Sequence, residues 1–464
     1  MTVHDAAFEG LLDISRRLRA HEMSPVELVE AQLERVERVD PDLRSYSVAT
    51  PELALEQARR AEAELGRGEV RGSLHGVPIA VKDVVDVSGV PTSGGMPMFR
   101  HRRAGEDAFV VRRLNEAGAV LLGKLALTEG VYAEHHDRRA APVNPWHPDY
   151  WCGASSSGSG VAVAAGLTYG ALGSDTTASI RLPSAVNGAT GIRPTWGRVS
   201  RHGVFELAAT LDQVGPMARN VADAAALLGV IADSDPADPT TALHPVPDYL
   251  AETRRDIRGL RIGLDPSYAL DGVDEITTGA LTATLRVLED LGAELRDISF
   301  PDPTGMVRDV FGVSAVQAAR AHAETYPHRR DEYGPALAEL LDRGRQLSGI
   351  EYQELLLRQA AFRGRVQAVF ADVDLILTPV LARTTPTAEQ MTRMDEAMIS
   401  HVYRFTCPFS MSGNPTITLP TGFTEQGLPI GMQLIARHFD ESSLVRAGHA
   451  FQQATTWHRA HPDL

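Results

Sequence analysis

The chain has 464 residues, 43% of them hydrophobic and 23% charged, an ordinary globular composition with ample length for a large core, which excludes a disordered chain. Its formal net charge of -15 disfavours nucleic acid, because neutralising phosphates needs clustered Lys and Arg and the basic residues here are scattered among acids. Cys152 and Cys407 are too few for a disulfide framework or a four-ligand zinc site; they read as packing residues, and reduced thiols suit the cytoplasm.

In chain order, the N-terminal stretch MTVHDAAFEGLLDISRRL lacks a basic start, an apolar run and a small-residue cleavage site, so no secretory leader is expected. No stretch approaches the roughly eighteen apolar residues of a membrane span. Ser24-Pro25-Val26-Glu27 combines an N-cap serine, a proline at the first helical position and a capping-box glutamate, which predicts a helix start. A second helix is predicted over Glu52 to Leu65, and Val77 to Val81 reads as a buried strand after Gly72 and Gly76. Asp107 to Glu116 has a helical pattern, Ala119 to Leu122 reads as a strand, and Val161 to Leu167 as a helix behind a Ser/Gly loop.

Further on, Leu260 to Leu264, Ile276 to Leu291 and Glu294 to Ile298 read as strand, crossover helix and strand. Residues 309–370 read as nearly all helix, a helical cap or subdomain of about 305–370. Leu375 to Leu377, Thr416 to Leu419 and Ile430 to Ala436 follow as strands, and a last helix opens near Glu441. No linker divides the chain, so residues 1–464 are expected to form one α/β domain.

Positive charge is carried by arginine throughout, with lysine at Lys82 and Lys124 alone. Arginine cannot lose its proton in a protein, whereas a desolvated lysine can become a neutral base, so either lysine is a candidate. The plain alternative is a lysine that is salt-bridged or reaches to solvent. A second feature is the loop Gly153-Ala154-Ser155-Ser156-Ser157-Gly158-Ser159-Gly160, which reads equally as a flexible linker or as a helix N-terminus that positions a reacting group. It is no dinucleotide fingerprint, since Val163 stands where the third glycine belongs; no Walker loop or nucleophile elbow is present either. Third, Leu172-Gly173-Ser174-Asp175-Thr176-Thr177-Ala178-Ser179-Ile180-Arg181-Leu182-Pro183 leaves an apolar strand through small polar residues, where backbone N–H groups before a serine can form an oxyanion hole.

Together with Gly76-Val77-Pro78-Ile79-Ala80-Val81-Lys82-Asp83, these segments resemble the amidase signature family in order and spacing. The resemblance extends through Asn144-Pro145-Trp146, Arg193-Pro194-Thr195, Leu211-Asp212-Gln213-Val214-Gly215-Pro216 and Leu428-Pro429-Ile430-Gly431-Met432-Gln433, nearly the whole chain, with a signature core at about 70–220. It implies a central mixed β-sheet covered by helices on both faces. It also implies a hydrolase with Ser179 as nucleophile, Ser155 as relay in a cis peptide and Lys82 as base. The N–H groups of Thr176, Thr177, Ala178 and Ser179 would form the oxyanion hole, and no metal or cofactor is required.

Two departures stand out: Thr177-Ala178 replaces the family's Gly-Gly pair, and Ala154 replaces a glycine before the relay serine. A left-handed backbone there would strain β-branched Thr177, whereas ordinary angles would accept it. Met96, Phe99, Tyr132 and Ala154 are the candidate substrate-binding residues, and residues 309–370 with Met391, Met394 and Met398 are where substrate selection is expected. Glu134-His135-His136-Asp137 resembles a metal cluster, but adjacent strand histidines face opposite ways, and Arg181 and Asp212 read as braces.

The implied enzyme is a cytoplasmic amidase, monomer or homodimer, acting on a small-molecule amide, carbamate (urethane) or ester. Two alternatives are the glutaminase subunit of a tRNA-dependent amidotransferase, whose Thr-Asn-Met-Asp-Glu-Phe wording is missing after Lys124, and a non-catalytic binding protein on the same scaffold.

Overall fold

The computed structural model describes residues 6–464; residues 1–5, where the stretch read for a leader begins, lie outside the described residues. An 11-stranded sheet is built from β1 (Tyr46–Ala49), β2 (Pro78–Lys82), β3 (Val120–Leu125), β4 (Gly170–Asp175), β5 (Thr190–Arg193), β6 (Gln213–Ala218), β7 (Arg261–Leu264), β8 (Glu294–Asp297), β9 (Leu375–Pro379), β10 (Thr416–Phe423) and β11 (Pro429–Ala436). The spatial order is β1-β3-β2-β4-β6-β5-β10-β11-β9-β7-β8. β3, β2 and β4 are parallel, as are β9, β7 and β8, while the strands between β4 and β9 and the edge pair β1-β3 are antiparallel. The fold is therefore α/β with a mixed sheet. Strands covered on both faces read as continuous apolar runs, which is why β2 and β9 were legible. Edge strand β8, Glu-Leu-Arg-Asp, is instead mostly exposed and charged, which protects an open edge.

The predicted crossover is present: β7 and β8 pair in parallel, joined through the Glu275–Asp290 helix. The Pro25–Leu43 helix begins where expected, with the Ser24 hydroxyl accepting from the N–H groups of Val26 and Glu27. Its capping box is not closed, however: the Ser24 hydroxyl donates to Glu62, and among the described residues the Glu27 side chain takes no bond from the Ser24 N–H; a closed box forms instead at Ser348 and Glu351. The helix behind the Ser/Gly loop starts inside the loop, spanning Ser157–Ala164. The long helical region is three helices, Thr304–Ala321, Pro335–Gln346 and Gly349–Val369, interrupted before Pro335, which opens a helix and cannot continue one.

One apolar cluster ties the segment around Ser179 to the helical region. Ala178 and Leu182, flanking Ser179, pack with Val310 and Val313 of the Thr304–Ala321 helix and with Phe409 and Met411. The Thr304–Ala321 and Pro335–Gln346 helices approach so closely that a Cβ on Gly344 would collide with the Ala315 carbonyl oxygen.

Candidate active site

β2 and β4 lie side by side in parallel, with Val81 opposite Leu172, so Lys82 and Ser174 emerge at neighbouring carboxyl ends. Open α/β sheets form their ligand crevices at such ends. The Lys82 Nζ donates to the hydroxyls of Ser155 at 2.6 Å, Ser156 at 2.9 Å and Ser174 at 2.9 Å. None of these partners carries a charge. Burial therefore lowers its pKa to about 7, although Asp175 and Asp212 act from further away to raise it. Lys124 is equally buried but touches a carboxylate, donating to Asp83 at 3.2 Å as well as to Thr92 and the Pro91 carbonyl. The same burial thus leaves Lys124 ion-paired and Lys82 poised to be neutral.

The Ser/Gly loop is no linker. A Cβ on Gly158 would collide with the Ser45 carbonyl, one on Gly160 would meet the Pro183 carbonyl at 2.8 Å, and Gly153 sits at φ +87° against Pro183. Glycine lets this backbone lie directly on its neighbours, and Ser155, Ser156, Ser157 and Ser159 are all buried. The Ala154–Ser155 peptide is cis. Ser156 donates to the Ser174 carbonyl at 3.0 Å and accepts from the Ser174 N–H, locking the loop onto β4.

Beyond β4 the chain turns through Thr176, Thr177, Ala178 and Ser179. Asp175 anchors the turn by accepting from the N–H of Ile180 at 3.1 Å and from Arg181 and Arg193 at 3.0 and 3.2 Å. Burial alone would raise this carboxyl, but the two guanidiniums hold it at about 2. Arg181 also reaches the carbonyls of Thr177 and Thr406, and Ser410 donates to the Thr177 carbonyl at 2.9 Å. From the other side Asp212 accepts from the Thr176 hydroxyl at 2.6 Å and from the N–H groups of Leu207 and Ala208. Carbonyls and side chains of the turn are thereby engaged, while among the described residues the N–H groups of residues 176 to 179 donate to no protein acceptor. Neither Thr177 nor Ala178 has a positive φ, so the side chains that replace the glycine pair cause no left-handed strain.

Ser155 and Ser179 open into one cleft, walled by Val131, Tyr132, Ala133, Ala154, Thr177, Leu207, Phe311, Ser314 and Tyr403. Among the described residues no hydrogen bond joins the two serine hydroxyls, so the Lys82–Ser155 half of the constellation is formed and Ser179 faces the shared space. Of the candidate substrate-binding residues, Tyr132 and Ala154 line the cleft; Met96 and Phe99 do not. Met96 is wholly buried in the core, and Phe99 packs on Phe205 with ring centroids 6.3 Å apart. Met391, Met394 and Met398 pack on the apolar cluster that holds Ala178 and Leu182 and do not line the cleft. His135 meets the Ser157 hydroxyl and His136 the Glu332 carbonyl, so these adjacent histidines serve different elements.

Ser156 and Ser174 as partners of Lys82, and Phe311, Ser314 and Tyr403 as walls, were not singled out from sequence. The two serines lay within segments already noted. The walls carry no local signal, because they arrive from the Thr304–Ala321 and Glu396–Tyr403 helices.

The sequence model of the Amidase family matches residues 27–445. The AmiD protein of Mycobacterium tuberculosis is 48% identical over 456 residues, covering 98% of this chain and 96% of that one. A glutamyl-tRNA(Gln) amidotransferase subunit of Chloroflexus aggregans is 36% identical over 473 residues, covering 96% of each chain. The solved structure of 6-aminohexanoate cyclic dimer hydrolase complexed with substrate superposes with a TM-score of 0.89 at 27% identity, covering 98% of this chain and 99% of that one. The chain belongs to the amidase signature family. It is an enzyme of that class, a hydrolase of carbon–nitrogen bonds acting on amides.

Proposed function

We propose that the chain hydrolyses small or aryl amides, with carbamates and esters as further substrates, through a Ser179–Ser155–Lys82 triad and an acyl-enzyme. Neutral Lys82 accepts the Ser155 proton as Ser155 takes the Ser179 proton, and the Ser179 oxygen adds to the carbonyl carbon. The N–H groups of Thr176, Thr177, Ala178 and Ser179 hold the oxyanion. The intermediate collapses with cleavage of the C–N bond while Ser155, resupplied by Lys82, protonates the leaving nitrogen. Water then adds to the Ser179 ester by the same relay and releases the acid. The observation that carries this reading is Lys82, buried, bonded to three hydroxyls and, among the described residues, to no carboxylate, with Ser155 at 2.6 Å. We place the enzyme in the cytoplasm as a monomer or homodimer acting on a small molecule; among the described residues no helix is long and apolar enough to cross a membrane.

The likeness to an amidotransferase chain favours glutamine as a second reading of the same chemistry. A panel of anilides, glutamine, aryl esters and carbamates, with Ser179→Ala as control, separates the two. Anilide, ester or carbamate turnover lost in Ser179→Ala supports the free-standing amidase; turnover confined to glutamine, or co-purification with a partner protein, supports the other. A folded chain whose Ser179 takes no fluorophosphonate label and that turns over nothing contradicts both.

A further inference from the structure

Phe311 stands between two spaces. On one side it walls the cleft that holds Ser155 and Ser179; on the other it lines a cavity of about 740 Å³. The cleft itself has a volume of about 20 Å³, little more than a water molecule requires and too small for an amide with a sizeable substituent. The larger cavity lies within the ~300–1,000 Å³ range of sites that enclose small molecules. Val131, Ala154, Leu207, Ser314 and Tyr403 are buried walls of the cleft. Phe311 is half-buried, meets Tyr403 edge to face at 5.3 Å, and has the empty cavity beside it to turn into.

The chemistry of the cavity defines its occupant. Its charged residues balance, with Arg308, Arg343 and Arg404 against Asp265, Asp302 and Glu396. Several of these already have partners: Asp265 accepts from the N–H groups of Ser267, Tyr268 and Phe300, Asp302 accepts from Thr304, and Arg404 donates to the carbonyls of Ser267, Tyr268 and Asp271. The remaining lining combines three hydroxyl residues, Ser267 and Thr304, which donate to Asp265 and Asp302, and Ser400, with an apolar wall of Pro303, Val307, Ile399, Phe311 and the stacked pair Tyr268 and Phe300, whose centroids are 4.5 Å apart. Such a lining selects an uncharged, flat group over an ion.

We propose that this cavity is a vestibule for the bulkier substituent of the scissile amide, an uncharged aryl group, and that Phe311 is the specificity-determining residue that admits it. The proposal rests on the amidase reading above. Its test is kcat/KM for acetamide, acetanilide, N-(2-naphthyl)acetamide and 4-acetamidobenzoate in the wild type, Phe311→Trp and Ile399→Trp. The second variant fills the vestibule without touching the cleft. The naphthyl-to-acetamide ratio is expected to fall roughly tenfold or more in each folded variant, mainly through KM, and the carboxylated anilide to be a poorer wild-type substrate than acetanilide. A ratio that stays within about twofold in both variants, or a parallel loss on every substrate, overturns the vestibule. Wild-type turnover of any of these amides that disappears in Ser179→Ala upholds the amidase reading even then, whereas no turnover at all overturns both.

Discussion

At the scale of single residues, the proposed chemistry turns on Lys82. Burial disfavours its charged form, so its pKa falls to about 7, and the neutral amine that the proposed mechanism needs is present above that pH and lost below it. Activity should climb through about pH 7 and level off on the alkaline side; a profile that falls there removes Lys82 as the base. Lys82→Arg, which cannot deprotonate, should lower kcat/KM by about 10²–10⁴. The same shift has a consequence for stability. Between about pH 7 and the ordinary value of 10.5 the unfolded chain binds the proton that folded Lys82 has lost, so this residue makes stability rise with pH across that window. Urea midpoints at pH 7 and pH 9 should show a larger rise for the wild type than for Lys82→Met. Thr177 gives a second residue-scale prediction. Its backbone is not left-handed, so Thr177→Gly relieves nothing and should lower stability by up to about 1 kcal/mol through the freer unfolded chain. A raised thermal midpoint would show strain that the geometry lacks.

At the scale of elements, β4 and the turn after it form one device. Ser174 near the end of the strand contacts Lys82, Asp175 pins the turn to two arginines, and residues 176 to 179 follow with N–H groups that donate to no acceptor among the described residues. Because Asp175, Arg181 and Arg193 are fully buried, removing the anion strands two cations. Asp175→Asn should destabilise the protein by about 3–5 kcal/mol, read as a drop in denaturant midpoint, and should abolish activity with it. A neutral result would mean that the turn holds its shape without the ion pairs. The segment's small polar residues were noticeable in sequence and Arg181 and Asp212 already read as braces, but the bracing by Arg193 and Ser410 was not legible. Arg193 and Ser410 are remote along the chain and reach the turn only through β5 and the Cys407–Ser412 helix.

Across the whole molecule, the helices of residues 304–369 pack in one cluster with the residues flanking Ser179, and the Thr304–Ala321 helix walls the cleft. Their mutual approach depends on Gly344, where a methyl group would collide with the Ala315 carbonyl. Gly344→Ala should therefore cost about 1–3 kcal/mol of stability, despite the better helix propensity of alanine, measured by thermal or urea unfolding. Unchanged stability would mean that the two helices can separate freely. Val310 and Val313 lie in this packed layer with Ala178 and Leu182, so substrate selection by residues 309–370 has a physical route through Phe311 and Ser314.

The sequence by itself determined the buried strands β2, β3, β9, β10 and β11 but not the equally buried β5 and β6, the Ser24 helix cap, and the candidate chemistry at Lys82, Lys124 and the two serine-bearing segments, because each of these is written in local pattern and residue type. Family resemblance linked those segments. Tertiary structure alone distinguished the surroundings of the two lysines: Lys82 meets hydroxyls and Lys124 meets Asp83, although both are buried residues of β-strands. It also turned the Ser/Gly loop into a packed wall, left Met96 in the core, and brought Phe311 and Tyr403 to Ser179. The physical reason is that pKa and pocket shape depend on groups far apart in sequence, whose meeting is set by sheet order and helix packing rather than by any local run of residues.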